Sequence, residues 1–498
     1  MKRIALLVLA SILSYSTYAT GNWSMYFTYR HLNGLQWEVT QHWFYNCDYY
    51  PGLLPQFNFY IHDTCNFLNK TNSYSTKQLL QPNGNPAGSN IYTDYCPNSF
   101  TMCDSPFNAT GMISWRLVNY RDTVTLPEAC GLWKFSLGSA SQFQFRDPFI
   151  TNIQDSTWTA YGEAILNADT TLANNTALWK RPMFAYANAD QFTQWHLPVY
   201  DDDGDSLVMS LVKPRERDKQ APNPLDTLIQ DINYISPFSL AEPFQTNGTF
   251  EFDASIPAVR FKATVNQLAL LCFRVDEYRE GVYVGTTFRE ALWHTIPTVR
   301  PSPQRSIQTT SLQNAIPGMK DTITVYANYA MNLCTHYTSS SNVAELRYES
   351  NIADVLPTAT NSVQSLGDSV YTYIQWTPTL ADTGYHLLVT TITDTSCVNA
   401  GPRIPQDFFY KIIVKQAPNA TENVEQLPIR IYPNPTQDEL YVEGLANTKV
   451  QIYNSMGTRI AIEEFSSNYV NRITTSSLAN GLYLLQAKGK TLRFMVQR

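Results

Sequence analysis

Asp201, Asp202, Asp203 and Asp205, gathered around Gly204, are the side chains of this 498-residue chain whose type and spacing most suggest a cofactor site. Calcium takes several carboxylate oxygens plus backbone carbonyls, and Gly204 would permit the sharp turn that aims Asp201, Asp203 and Asp205 at one point. Asp276 and Glu277 could complete such a site if the strands bring them near. The spacing is not that of an EF-hand loop: glycine falls at the fourth position, and Val212, at the twelfth, cannot supply a bidentate carboxylate. A solvated acidic turn ahead of a strand over 207–212 also accounts for the run, so calcium is one of two readings.

Other chemistry is not legible. The chain has no HExxH, no GxSxG, and no cysteine in the local signatures of cysteine peptidases. His31, His42, His62, His196, His294, His336 and His386 are scattered and mostly fall in or beside expected strands, where a lone histidine is structural or a surface residue. With 42 Asp and Glu residues, a glycosidase pair cannot be picked without geometry. The aromatic cluster Tyr45, Tyr49, Tyr50, Phe57, Phe59 and Tyr60 could stack on sugar rings, or alternate on strands to fill cores. The expectation is a non-enzymatic protein, with a secreted hydrolase or a glycan-binding protein as the alternative.

The positioning elements are expected to be strands. Charged residues make up only 15 % of the chain against 13 % aromatics, with 28 prolines and hardly any helical period. That combination describes β-sandwich modules with extended loops. At the start, Met1-Lys2-Arg3 followed by apolar Ile4 to Leu13 and Thr17-Tyr18-Ala19 reads as a signal peptide over 1–19, cleaved after Ala19. Its apolar run is too short to span a bilayer. Without it the chain carries 33 basic and 42 acidic residues, a net charge of −9 that argues against nucleic acid as a partner.

Eight cysteines in an exported chain point to disulfides rather than metal chemistry. Their connectivity stays open among roughly a hundred pairings. Proximity favours Cys96 with Cys103 and Cys334 with Cys397, and, less directly, Cys47 with Cys65 and Cys130 with Cys272.

Strand patterns and breaks divide the rest. A first β module over 20–137 opens with strands at Met25 to Arg30 and Gln36 to Tyr45. A second, over 138–297, carries the acidic turn and the string Leu271 to Gly281. Pro301-Ser302-Pro303 marks the next break. A third module over 298–415 has strands at Val370 to Thr377, Tyr385 to Asp394 and Asp407 to Val414. Residues 416–428 are a polar linker that cannot bury enough surface to fold alone and is open to proteolysis. In the last unit, 429–498, Pro433 and Pro435 predict an extended lead-in. Leu440 and Val442 lie on one face, Val450 and Ile452 repeat the period, Asn454 to Gly457 supplies a turn, and Lys488-Gly489-Lys490 closes a final hairpin.

The order of Tyr432-Pro433-Asn434-Pro435, the KVQIYNSMGTRI string containing Gly457, and the closing SSLANGLYLLQAKGKTLRFMVQR with Gly481 and Tyr483 resembles the type A C-terminal sorting domain of the Bacteroidetes type IX secretion system. The preceding strings, including VTLPEACGLWKFSLGS and YDDDGDSLVMSLV, resemble gliding-motility-associated or PKD-like surface proteins. An adjacent cysteine pair of that group is replaced here around Gln142 and Phe143. The acidic strings are also similar to cadherin-like repeats, and Trp376 to Cys397 to the end of an Ig-like one. The resemblance implies an all-β chain of tandem Ig-like β-sandwich modules ending in a small β-sandwich sorting domain. It further implies a type IX translocon as partner, attachment to surface lipopolysaccharide or release after sorting, and a role in adhesion toward a surface or polysaccharide ligand.

Overall fold

The computed structural model describes residues 22–46, 56–63, 71–78, 94–97, 99, 114–129, 131–137, 150–153, 159–169, 172–181, 184–217, 229–297, 300–307, 316–317, 322–397, 400–416, 429–466 and 470–498. The expected signal peptide, Ala19 and most of the 416–428 linker lie outside them.

The chain is all-β. Its largest element is an 11-stranded sheet in which Asn22–Asn33 and Gln36–Asn46 form one end and Ser206–Val212 the other. Near that second end lies a long hairpin, Gln267–Arg279 with Val282–Ile296, turned by Glu280 and Gly281, both at positive φ. Two central residues of that kind match the right-handed twist of the flanking strands. Residues of both parities along the hairpin are buried, from Leu268 through Val275 and from Val284 through Trp293. A strand covered on both faces needs a continuous apolar run rather than alternation, and Leu268 to Phe273 supplies one. Phe184–Asn188 adds in parallel to Val282–Ile296, and Ser206–Val212 pairs antiparallel with Gln267–Arg279.

This sheet crosses the expected boundary at 137/138. Leu132–Leu137 pairs with Glu163–Asn167, placing Trp133 opposite Leu166, and one apolar core joins Tyr26, Phe44 and Trp115 to Phe273 and Trp293. The described residues of the two expected N-terminal modules therefore share one sheet and one core. Strand periodicity marks where strands lie but not which ladder they join, so the boundary could not be read from pattern. The aromatics fill cores: Trp115 and Trp293 lie in this one, Trp37 and Trp133 in a second and Trp43 in a third, all fully buried. Of the suggested sugar-stacking cluster, Phe59 is a core residue and Tyr60 half-buried. The side chains of Tyr45 and Phe57, and residues Tyr49 and Tyr50, lie outside the described residues.

The described residues of 300–416 form a two-sheet β-sandwich. One sheet orders Gln304–Ile307, Met331–Thr338, Ser369–Trp376 and Thr360–Ser365; the other includes Thr322–Tyr326 parallel to Pro405–Lys415, which pairs with Gly384–Asp394. Between them lie Leu333, Ile374, Trp376, Leu388, Tyr410 and Ile412. Ahead of Tyr385 lies a short 3-10 turn, Leu380–Asp382, closed by a reciprocal capping box between Thr379 and Asp382.

The sandwich is fastened to the larger body. Asp407, fully buried, accepts from Arg181 through both oxygens (2.5 and 3.1 Å), from the His196 amide at 2.7 Å and from Thr391 Oγ1 at 2.6 Å. Beside it Ile256 and Ala258 pack on Val389 and Phe409, and Lys411 reaches Asp253 at 3.3 Å. A disulfide joins Cys96 to Cys397 with Cα atoms 5.4 Å apart, and Arg403 pairs with Asp94 at 2.8 Å. This overturns the expected Cys96–Cys103 and Cys334–Cys397 bonds. Proximity in sequence favoured short loops, whereas packing brings together residues 301 apart. Cys334 is a half-buried free thiol. Cys47, Cys65, Cys103 and Cys130 lie outside the described residues, so the Cys47–Cys65 and Cys130–Cys272 pairings do too.

Burial holds three histidines neutral. His42 is lowered to about 3, and His196 and His294 each to about 4, in every case chiefly by desolvation. A base whose folded pKa is depressed contributes stability that is present above its unfolded value near 6.5 and lost as pH falls toward the folded value. Melting temperature is therefore expected to fall between pH 6.5 and 4.5, with each histidine contributing up to roughly 2 kcal/mol at pH 5. His294→Gln should flatten that decline. Parallel curves for the variant and the parent would contradict a neutral, half-buried His294.

Candidate functional site

Two constellations stand out: the acidic turn and the C-terminal unit. The turn follows Val199–Tyr200 and leads into Ser206–Val212. Gly204 takes φ +79°, and the Asp201 carboxylate accepts the amides of Asp203 (2.9 Å) and Asp205 (3.0 Å). An Asp side chain bonded to amides just downstream is the local device that shapes such turns. The result gathers oxygens of Asp201, Asp203 and Asp205 within 4.8 Å of one another, as the spacing suggested. Asp202 is exposed and outside the cluster.

The neighbouring hairpin strand supplies what the sequence did not reveal. Arg279 binds Asp205 through two nitrogens (2.7 and 2.9 Å) and Asp203 at 3.0 Å, and it also donates to the Leu172 carbonyl. Asn175 caps Asp203 through its amide (2.7 Å) and side chain (2.6 Å). Glu277, fully buried, accepts from Asn174 Nδ2 (2.8 Å) and the Ala177 amide (2.9 Å). Burial, reinforced by the charges of Asp201 and Asp205, raises Glu277 to about 7 against those two hydrogen bonds. Burial likewise raises Asp201, with Asp205 and Asp203 adding to it. Asp276, one residue before Glu277, lies on the opposite face, where Arg274 (2.9 Å) and Thr286 hold it. Strand alternation thus separates the pair: Glu277 shares the electrostatics of the turn and Asp276 does not.

Asp201 Oδ2 is buried with no hydrogen-bond partner among the described residues. Three clustered carboxylates, one of them with an orphaned oxygen, form a donor set that suits a hard divalent cation such as calcium. Arg279 already offsets part of their charge. Signals for Arg279 and the Asn174-Asn175 pair were present in the sequence as residues, but only the ladder shows that they converge.

The C-terminal unit has its own core, including Leu440, Val442, Val450, Ile452, Leu485 and Phe494. Arg430–Tyr432, Glu439–Glu443 and Val470–Thr474 form one sheet; Arg459–Glu464, Lys449–Asn454, Gly481–Ala487 and Lys490–Val496 form the other. The expected extended lead-in runs only to Tyr432. Pro433 to Pro435 bends across to the last strand, where the Asn434 side chain accepts the Met495 amide (2.9 Å) and donates to the Arg493 carbonyl (3.1 Å). Thr436 continues the contact, exchanging backbone bonds with Met495 and Gln497 at 2.7 and 2.9 Å. The first string of the unit thus locks onto its last strand. Gly457, at φ +79°, closes the turn in which Asn454 Oδ1 accepts the Met456 and Thr458 amides. Gly481 opens the penultimate strand, and Tyr483 stacks on Phe494 (5.5 Å) while donating to the Ala479 carbonyl at 2.9 Å. Arg498 donates to the carbonyls of Thr475 (2.7 Å) and Leu478 (2.9 Å).

Residues 430–497 match the family described as the secretion system C-terminal sorting domain. That match marks the protein as type IX secretion cargo, secreted or carried at the outer-membrane surface, with the machinery of that system as its partner. No helix among the described residues is long and apolar enough to cross a membrane. Among curated proteins no relative matches. Among solved structures, similar chains include the BSP domain of a biofilm-associated protein, at 9 % identity over 97 % of this chain and 99 % of that one, with a TM-score of 0.15. The human desmocollin-1 ectodomain gives 7 % identity over 84 % and 76 %, TM-score 0.17, and the mouse nectin-like molecule 4 ectodomain 12 % over 63 % and 95 %, TM-score 0.16. Likenesses of this size carry no argument, and the all-β class rests on the sheets themselves.

Removing Arg279 would leave Asp205, whose side chain is 1 % exposed, as a buried carboxylate without its ion pair. Arg279→Gln is expected to lower unfolding free energy by roughly 2 to 3 kcal/mol, read by urea denaturation, with Arg279→Lys recovering part of the loss. A change below about 0.5 kcal/mol, ordinary for a surface substitution, would contradict the role given to Arg279.

Proposed function

We propose that the protein is a non-enzymatic surface protein that acts in adhesion or as a structural spacer, its β body displayed outside the cell by the sorting domain. The observation that carries this reading is the pairing of a sorting domain that has its own core with a β body fastened internally by Asp407 and Cys96–Cys397. Rigid sandwiches present loops and sheet faces as binding surfaces. After export, the sorting domain is cleaved or used for attachment to surface lipopolysaccharide, and the body works as the gliding-motility-associated and PKD-like surface proteins it resembles are expected to.

Within this reading, Asp201, Asp203 and Asp205 hold calcium when it is supplied, which would neutralise the turn and stiffen its junction with the strand Ser206–Val212. The support is the 4.8 Å cluster and the unpartnered Asp201 Oδ2.

Two measurements check these statements. Deleting residues 429–498 is expected to hold the protein in the periplasm, whereas normal surface display after the deletion would refute the export role. Calcium is expected to raise the melting temperature of the intact chain and to release or absorb heat on titration, and Asp203→Asn should suppress both. No heat and no shift with the parent protein would remove calcium from the account.

A further inference from the structure

Surfaces of soluble domains are normally studded with Lys, Arg, Asp and Glu, about a quarter to a third of positions. The outer face of one sheet in the 300–416 sandwich departs from this. On Gln304–Ile307, Met331–Thr338, Ser369–Trp376 and Thr360–Ser365, none of the outward-facing positions carries a charged residue of those four types. Arg305, the one such residue on these strands, points inward, where its guanidinium lies over Phe408 and Tyr410 and donates to the Phe409 carbonyl.

Two tyrosines stand in the middle of this neutral face. Tyr371 and Tyr373 are each 38 % exposed and, two residues apart on one strand, sit about 7 Å from each other. They are held in place. His336, opposite Tyr371 in the ladder, stacks on its ring at 4.0 Å with planes 7° apart. Gln375 donates to the Tyr373 hydroxyl (3.2 Å) and to Asn332 Oδ1 (3.3 Å), which orients both amides beside the rings. An amide offers donors and an acceptor together, the combination that suits vicinal hydroxyls, and an aromatic ring offers an apolar surface with a polar edge.

We propose that this face, resting on the surface reading above, binds a neutral polysaccharide. Tyr371 and Tyr373 stack against successive sugar rings, and Asn332 and Gln375 hydrogen-bond the hydroxyls at their rims. The lack of Lys and Arg argues against an acidic polymer, which needs cationic partners. A protein partner would be expected to meet a centre richer in large apolar side chains and Arg than the amide and hydroxyl groups found here. The face is also distinct from the aromatic cluster near the N-terminus, part of which fills the core.

The test is native affinity electrophoresis of the full-length protein in gels containing laminarin, xylan or dextran, with alginate as the acidic control. At least one neutral polymer is expected to retard the protein, and alginate not to. The double variant Tyr371→Ala with Tyr373→Ala should weaken that binding tenfold or more with the melting temperature unchanged. Gln375→Ala, which keeps both rings, should weaken it by a smaller factor. No retardation by any neutral polymer, retardation by alginate alone, or equal retardation of the double variant overturns the proposal. So does a dimer of the parent protein that the double variant dissolves, because it would assign the face to a second copy of the chain. Accessibility of the protein to external protease on intact cells that express it tests the surface reading separately. Display with no polysaccharide binding sinks this face alone, and loss of display sinks the reading beneath it.

Discussion

The buried hairpin Gln267–Arg279 with Val282–Ile296 is the constraint on which the rest of the larger body depends. It pairs with Ser206–Val212, Glu163–Asn167 and Phe184–Asn188, so three separate stretches of chain take their register from it. Its apolar side chains build the main core with Trp195, Phe244 and Phe261. Its far end carries Glu277 and Arg279, so the same register that packs Phe273 and Val275 also delivers the guanidinium to Asp203 and Asp205. A one-residue slip would exchange the two faces, placing Asp276 rather than Glu277 beside Asn174 and removing the ion pair that steadies the acidic turn. Core packing and site geometry are thus one decision, made by a single ladder.

The second level of organisation is the fastening of the 300–416 sandwich. Asp407 would be a costly buried charge alone, but four hydrogen bonds from Arg181, His196 and Thr391 satisfy both of its oxygens. Breaking one partner of such a buried pair costs far more than the pair contributes over an apolar substitute, so it acts chiefly to specify how the two surfaces meet. The disulfide from Cys96 to Cys397 ties the same two bodies at a second place, where Cys96 also donates its amide to the Gly401 carbonyl at 3.0 Å. Two attachments restrict relative motion far more than one. The neutral face with Tyr371 and Tyr373 therefore stands on a sandwich fixed to a large support.

Much of the strand content was legible because alternation is a local property. Leu440 with Val442, Val450 with Ile452 and the closing hairpin at Lys488-Gly489 fall where the pattern placed them. The sorting domain was legible for another reason: its strings recur in a fixed order. The acidic turn was found because its residues are neighbours in sequence. What failed was whatever depends on long-range pairing. The boundary at 137/138 dissolved in a ladder between Trp133 and Leu166, Cys96 found a partner 301 residues away, and Arg279 joined the turn from a different strand. The exposed tyrosines could not be told from buried ones, because Tyr371 and Val370 differ only in which side of the sheet they face.

Joined by one continuous sheet, by Asp407 and by Cys96–Cys397, the described residues of 22–416 behave as one cooperative body carrying a sorting domain with its own core. Native-state hydrogen exchange, followed peptide by peptide on the oxidised full-length protein, tests it most directly. Amides of the hairpin Gln267–Arg279 and Val282–Ile296 and those of Gly384–Asp394 and Pro405–Lys415 should share one opening free energy, with the strands of 429–498 opening at a different one. Separate opening of the 300–416 sandwich, with Cys96–Cys397 intact, would contradict a single cooperative body.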